Sequence, residues 1–226
     1  MSSPLVSVVV ASFNGERFLR AALESLFAQD FDSYEAVFVD DGSSDSTAEI
    51  ARTFAVRYLY QTNQGLAAAR NAGIAASRGE FVTFLDDDDV LPRTKLRSQA
   101  TYLLDHPETG CVLGRQEWMT EDGAAPVSLR RDPVFDDPGG IPMASMMVRR
   151  AALDAVGGFD PTFDYAEDRD VLVRLREHGV GIAVLPEVVL HRRLHDSNMI
   201  LSPPEHHPLL RSLREKMERE RSKGRE

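Results

Sequence analysis

The chain has little cysteine, no long apolar run and no surplus of positive charge, and each shortage removes a class of function. Cys111 is the sole cysteine among 226 residues, which excludes an internal disulfide framework and fits a reducing compartment. No stretch approaches the roughly 18 consecutive apolar residues that a membrane-spanning helix needs. Met1-Ser-Ser-Pro4 has no basic segment leading into an apolar core, so no signal peptide is visible. The formal charge of −10 argues against nucleic acid as a partner, because phosphate binding requires clustered Lys and Arg. Composition is otherwise that of an ordinary globular protein, long enough to bury one large core. These features predict a cytoplasmic protein.

Several common signatures are missing as well. No G-x-G-x-x-G follows the first strand-like segment, and no G-x-x-x-x-G-K-[ST] occurs, so dinucleotide-dependent and P-loop chemistry are unsupported. There is no Cys/His cluster of zinc spacing and no G-x-S-x-G elbow.

What is present is an alternation. Leu5–Ala11, Tyr34–Val39, Val56–Tyr60 and Glu80–Leu85 read as strands, the first β-branched and nearly continuous in apolar character. Between them lie a helix through Phe27 with apolar residues at helical spacing, a helix Thr47–Phe54 capped by Ser46 or Asp45, and an Ala-rich helix opened by Asn63-Gln64-Gly65. Gly79 is suited to stopping that third helix, and a fourth runs from near Pro92 to Leu104. This β-α order predicts a mostly parallel central sheet with helices on both faces. Ligands of such sheets bind outside the carboxyl ends of the strands. Phe13-Asn14, Asp40-Asp41 and Asp86-Asp87-Asp88-Asp89 each follow a strand, so they are expected to converge on one edge.

The row at 86–89 poses a charge problem. Two unit charges about 4 Å apart repel by roughly 4 kcal/mol at an effective dielectric of about 20. Four adjacent carboxylates at a strand mouth call for solvation or a cation, and carboxylate oxygens suit magnesium or manganese. Such a cation normally also binds substrate phosphates.

The second half changes pattern. Gly110–Met119 and Met143–Val148 read as strands, Arg150–Val156 and Glu167–His178 as helices, and Gly181–Leu185 and Val188–Arg192 as short final strands. Gly157-Gly158 marks a break, and Gly179 the stop of the second helix. The Gly-, Pro- and Asp-rich segment Glu121–Pro142 reads as a loop or hairpin, and Gly139-Gly140 would suit a lid on the acceptor side. Residues 205–226 carry 7 Lys+Arg against 5 Asp+Glu on a narrow apolar stripe. This charged helical tail is open to docking on the body, fraying, or contact with a partner or, peripherally, with the inner face of a membrane.

The sequence resembles glycosyltransferase family 2, whose members have the GT-A fold and transfer sugars with inversion. The resemblance runs from about residue 5 to about residue 198. It rests on Val6-Ser-Val-Val-Val-Ala-Ser-Phe-Asn14, Val39-Asp-Asp-Gly-Ser-Ser-Asp-Ser-Thr47, and Asn63-Gln-Gly65 with Ala69-Arg-Asn-Ala-Gly73. Further on come Phe84-Leu-Asp-Asp-Asp-Asp89, Gly157-Gly-Phe-Asp160, and Glu167-Asp168 followed by Arg174. It implies one GT-A domain over 1–204, with a nucleotide-binding half to about 104 and an acceptor-side half beyond.

It also implies roles. Ala11, Phe13, Asn14, Asp40, Asp41, Arg70, Asn71, Asp86 and Asp87 match positions near the nucleotide. Asp86 and Asp88 match the family's D-x-D, with Asp88 on the metal, and His195 falls where some relatives place a late His near it. A shift of one residue within the row is open. Asp168 matches the general base that takes the acceptor proton, with Glu167 and Asp170 as rivals, although Asp170 also stands at i,i+4 spacing from Arg174. Arg193 would approach the diphosphate, and Trp118 would offer a flat face to an acceptor sugar or sit in the core. The implied partners are a nucleotide-diphosphate sugar and an acceptor that is a glycan, a lipid-linked sugar or a small molecule.

Two alternatives stand beside this. A sugar nucleotidyltransferase also uses metal-binding Asp on an α/β sheet, but would show a Gly-rich loop with a basic residue after the first strand. A catalytically silent nucleotide-sugar scaffold would have no need of Asp88 and Asp168.

Overall fold

The structure, a computed structural model, describes residues 3–121, 126–127, 143–163 and 167–195. Expectations for most of the 121–142 loop, the Gly139-Gly140 lid and the 205–226 tail lie outside these residues.

Four parallel strands form the first half of the sheet: β1 (Val6–Ser12), β2 (Tyr34–Asp40), β3 (Arg57–Tyr60) and β4 (Phe81–Asp86). Their spatial order is β3-β2-β1-β4. Alternate residues of β1 face opposite layers. Val6, Val8 and Val10 pack with Leu19, Leu23 and Leu26 of α1 (Leu19–Phe27), Ala51 of α2 (Thr47–Ala51), and Leu96, Ala100 and Leu103 of α4 (Lys95–Asp105). Val9 and Ala11 face the other layer, which holds Ala67, Ala69 and Ile74 of α3 (Leu66–Ala76). Each fully buried Val or Leu contributes about 1.5–3 kcal/mol relative to exposure, so the two-sided core holds this sheet between its helices.

The second half extends the same sheet. β5 (Thr109–Met119) and β7 (Met146–Arg149) pair antiparallel, and β7 also pairs antiparallel with β4. A two-residue strand β6 (Pro126–Val127) returns along Trp118 and Met119, so the segment after β5 begins as a hairpin. α5 (Arg150–Val156) and α6 (Glu167–Glu177) cover the α3 face with Leu153, Val171, Leu172 and Leu175. Gly157 ends α5 in the left-handed conformation, as its sequence position predicts.

Three local expectations need correction, and one open alternative is resolved. Gly79 does not stop α3, which closes at Ser77; its N–H donates to Ser7 Oγ at 2.8 Å, and an added Cβ would lie 2.5 Å from the Ser7 nitrogen. Gly79 is thus a close approach to β1. Met143–Ser145 is a 3-10 turn rather than strand, because its polar groups are drawn to side chains: Met143 N–H donates to Asp168 and the Ser145 carbonyl accepts from Gln99. The two expected final strands are one, β8 (Gly181–Arg193), parallel to β5. Its register shifts between Val184 and Val188, where Pro186 has no N–H to give the ladder. At α2 the cap is Asp45, whose Oδ1 accepts from Thr47 N–H at 3.0 Å, while Ser46 makes no side-chain cap bond. Among the described residues, no helix is long and apolar enough to cross a membrane.

Candidate functional site

The parallel register places Ser12 beside Asp40 and Ala11 beside Asp86, so the three sequence clusters share one sheet edge. β1 exits into Phe13, whose ring is 52% exposed and therefore no core residue. Asn14 adopts φ 55, a conformation Asn tolerates, and its Oδ1 accepts from Ser44 N–H at 2.9 Å. This side chain ties the first loop to the loop after β2.

Asp40 and Asp41 are turned inward. Asp40 accepts from Ser43 N–H at 2.8 Å and from the Tyr58 hydroxyl at 2.6 Å. Asp41 accepts from Gln61 Nε2 at 2.7 Å and from the N–H groups of Gln64 and Gly65, both at 2.9 Å. Both carboxylates are buried and engaged in shaping the loops, the second by fixing the approach to α3. Asn71 is likewise occupied, since its amide exchanges two hydrogen bonds with the main chain of Phe159, at 2.8 and 2.9 Å.

The acidic row divides by partner. Asp87 accepts a very short hydrogen bond from Ser12 Oγ, and Gly15 leaves the space for both, since an added Cβ would collide with each of them. Asp88 Oδ2 lies 2.9 Å from His195 Nε2. Asp89 is buried and accepts from Arg193 N–H at 3.0 Å. Burial, and then the mutual repulsion of the row, raises the pKa of all three; Asp87 is pushed up to about 7 against the opposing pull of Ser12. Burial and repulsion therefore work against a fully ionised row.

The fourth member, Asp86, points to Arg70. Its Oδ1 accepts from Arg70 Nη2 at 2.8 Å, while Arg70 Nη1 donates to Glu167 Oε1 and Asp168 Oδ1, both at 2.7 Å. Arg70 is only 2% exposed. Burial works against its charge, but Asp168, Asp86 and Glu167 outweigh that and hold it protonated. Asp168 stands in the first turn of α6 with its other oxygen on Met143 N–H at 3.0 Å. Its pKa is pushed up to about 7: burial is the largest cause, Arg70 opposes it, and Glu167 and Asp86 add to it.

The outlying residues fall as follows. Asp170 pairs with Arg174 at 2.7 Å, the i,i+4 contact its spacing predicts. Arg193 donates to the carbonyls of Asp88 and Glu121 at 3.0 and 2.5 Å and lies over the Phe18 ring, so it ties β8 to the acidic turn. Trp118 is half-buried, with the Arg192 guanidinium 4.9 Å from its ring centre. Sequence reasoning missed Ser12, Gly15, Tyr58 and the Met143 N–H. Ser12 and Gly15 carried a signal in flanking the strand end, whereas Tyr58 and Met143 carried none.

A mostly parallel sheet with a carboxylate row at its C-terminal edge, tied to a helix-borne Asp, defines a nucleotide-diphospho-sugar transferase fold of the GT-A type. The model of glycosyl transferase family 2 matches residues 7–158, and the chain belongs to that family. The uncharacterized glycosyltransferase EpsJ of Bacillus subtilis (strain 168) is 41% identical over 91 residues, 38% of this chain and 26% of EpsJ. TarS 1–349 of S. aureus in complex with UDP-GlcNAc superimposes with a TM-score of 0.73 at 24% identity, over 87% of this chain and 60% of that one. The mannosyltransferase PcManGT of Pyrobaculum calidifontis, in complex with GDP-Man and Mn2+, gives 0.70 at 21% identity, over 88% and 59%. Both structural likenesses are likenesses of fold. The chain spans 27%, 44% and 23% of the length of three further bacterial glycosyltransferases that it matches.

Proposed function

We infer that this chain catalyses inverting transfer of a sugar from a nucleoside-diphosphate sugar to an acceptor hydroxyl, with a divalent cation at the acidic row and Asp168 as general base. The observation that carries this is the meeting of Asp86 and Asp168 on Arg70, at 2.8 and 2.7 Å. A donor-side carboxylate and a base of raised pKa thereby lie close enough to act on one donor–acceptor pair, which is consistent with a single displacement. The complexes of TarS with UDP-GlcNAc and of PcManGT with GDP-Man and Mn2+ support the same class of donor.

The residues fit a hard cation in their chemistry. Asp88 and His195 stand 2.9 Å apart, and the partly buried Asp86 adds a carboxylate whose neighbours are also acidic. Among the described residues no three His, Cys, Asp or Glu side chains gather round one point, so phosphate oxygens of the donor would complete the coordination. Manganese or magnesium there supplies Lewis-acid stabilisation of the departing diphosphate.

The protein's own part in the step is defined by Asp168. The acceptor hydroxyl gives its proton to the Asp168 carboxylate as the acceptor oxygen bonds the anomeric carbon. The bond from that carbon to the diphosphate oxygen breaks, and the electron pair leaves with the nucleoside diphosphate. A pKa raised to about 7 makes Asp168 a stronger base than an ordinary carboxylate. Phe13, half-exposed beside the row, offers a face on which a nucleobase can stack.

The test is thermal stabilisation by UDP and GDP with and without Mn2+, followed by hydrolysis of UDP-N-acetylglucosamine and GDP-mannose. Metal-dependent stabilisation together with donor hydrolysis is expected. Metal-independent binding without hydrolysis of either donor would point to the scaffold instead.

A further inference from the structure

Arg70 joins three carboxylates from two distant stretches of chain. Asp86 ends β4, whereas Glu167 and Asp168 open α6, about 80 residues later. The guanidinium fork bonds all three. That fork is sealed at 2% exposure and packed against the rings of Phe159 and Phe84, 5.5 and 6.0 Å from its central carbon. A guanidinium is planar and its N–H directions are rigid, so it dictates the relative angle of the carboxylates it binds. Met143 N–H holds the remaining oxygen of Asp168, which is thus fixed from two sides. Glu167, its side chain 8% exposed, shares Nη1 with Asp168 and anchors the fork from below.

We propose that Arg70 is a positioning residue for transfer, which orients the Asp168 carboxylate relative to the donor-side Asp86 and does not itself bind the nucleotide. This inference rests on the function proposed above. Both terminal nitrogens donate to carboxylates, and the fork is buried rather than open to a donor in solvent. Displacing a reacting group by about 1 Å costs on the order of a hundredfold in rate, so loss of the fork acts on turnover rather than on donor affinity.

The test compares Arg70→Gln, Arg70→Lys, Asp168→Asn and the double variant Arg70→Gln/Asp168→Asn. Nucleotide affinity is read by calorimetry with UDP and GDP in the presence of Mn2+, and turnover by hydrolysis of UDP-N-acetylglucosamine and GDP-mannose. Arg70→Gln is expected to keep nucleotide affinity and donor KM within about threefold while kcat drops on the order of a hundredfold. Lysine, which keeps the charge but not the fork, restores part of that loss. The double variant falls no further than Asp168→Asn alone, because the two groups act as a unit.

A tenfold loss of nucleotide affinity with kcat preserved would make Arg70 a donor ligand and overturn the proposal. So would losses that multiply in the double variant. If thermal melting shows Arg70→Gln unfolded, Arg70→Lys carries the same comparison: a reduced kcat at unchanged KM supports the proposal, and a raised KM at unchanged kcat overturns it. A wild-type protein that binds neither nucleotide and hydrolyses neither donor refutes the transferase function itself and takes this inference with it. Failure of the Arg70 pattern in an active wild type refutes this inference alone.

Discussion

Lys95 opens α4 fully buried, and its ammonium nitrogen donates to Gln99 Oε1 at 2.7 Å. Burial alone pushes its pKa from 10.5 down to about 7. The sign follows from linkage. The folded state binds the proton less tightly than the unfolded chain, so stability is whole above the unfolded pKa and declines as pH falls from 10.5 to about 7. With 1.36 kcal/mol per pKa unit, the penalty reaches about 2 kcal/mol at pH 9 and about 4 kcal/mol at pH 7. Lys95→Met removes that penalty with similar volume. It also leaves Gln99 Oε1 without its donor, at a cost of about 1 kcal/mol, while Gln99 Nε2 keeps the Ser145 carbonyl at 2.9 Å. The variant is therefore expected to be more stable by about 3 kcal/mol at pH 7 and about 1 kcal/mol at pH 9. Urea unfolding of both proteins at several pH values in this range measures the difference. A gap that stays constant, or widens towards high pH, would refute the reasoning, since only a depressed lysine pKa makes it grow as pH falls.

Three more outcomes are expected. Asp88→Asn should weaken Mn2+-dependent binding of UDP or GDP by at least tenfold, and calorimetry showing unchanged binding with the same metal dependence would remove Asp88 from the cation site. Asp168→Asn should cut donor hydrolysis on the order of a hundredfold or more while sparing nucleotide affinity. The wild-type kcat/KM should rise with pH through about 7, where this base loses its proton, and a flat profile there would point to another base. Gly15→Ala would press a methyl group into the Ser12–Asp87 contact, with the Asp87 carboxyl carbon 2.8 Å away, and should cost about 1–3 kcal/mol in a thermal or urea melt. Wild-type stability in that variant would mean that the contact is not maintained.

Element type was legible in the chain because periodicity is local. Strands β1, β2 and β4 and helices α1, α3 and α4 fall within a few residues of their sequence boundaries, and both Gly157 and Gly179 end their helices in the left-handed region. Element ends and joins were less legible. β8 passes through Pro186 because a register shift in its pairing with β5 absorbs the missing N–H, and that partner is far away in sequence. The shared edge of Phe13, Asp40 and the acidic row was readable for the same topological reason: polar residues that follow parallel strands arrive at one edge whatever else the chain does.

What the sequence determined by itself is therefore the α/β order, the shared edge of Phe13, Asp40 and the acidic row, and the excess of carboxylate charge there. Tertiary structure alone decided which of those carboxylates are already spent. Asp40 and Asp41 look no different in sequence from Asp86 and Asp88, yet the first pair is held by Tyr58, Gln61 and loop N–H groups, whereas Asp86 meets Arg70 and Asp88 meets His195. Arg70 could have been read as a surface helix residue, but packing against Phe84 and Phe159 withdrew it from water and set three carboxylates against it. A buried charge must find partners wherever the fold supplies them, and here they come from residues 16, 97 and 98 positions along the chain.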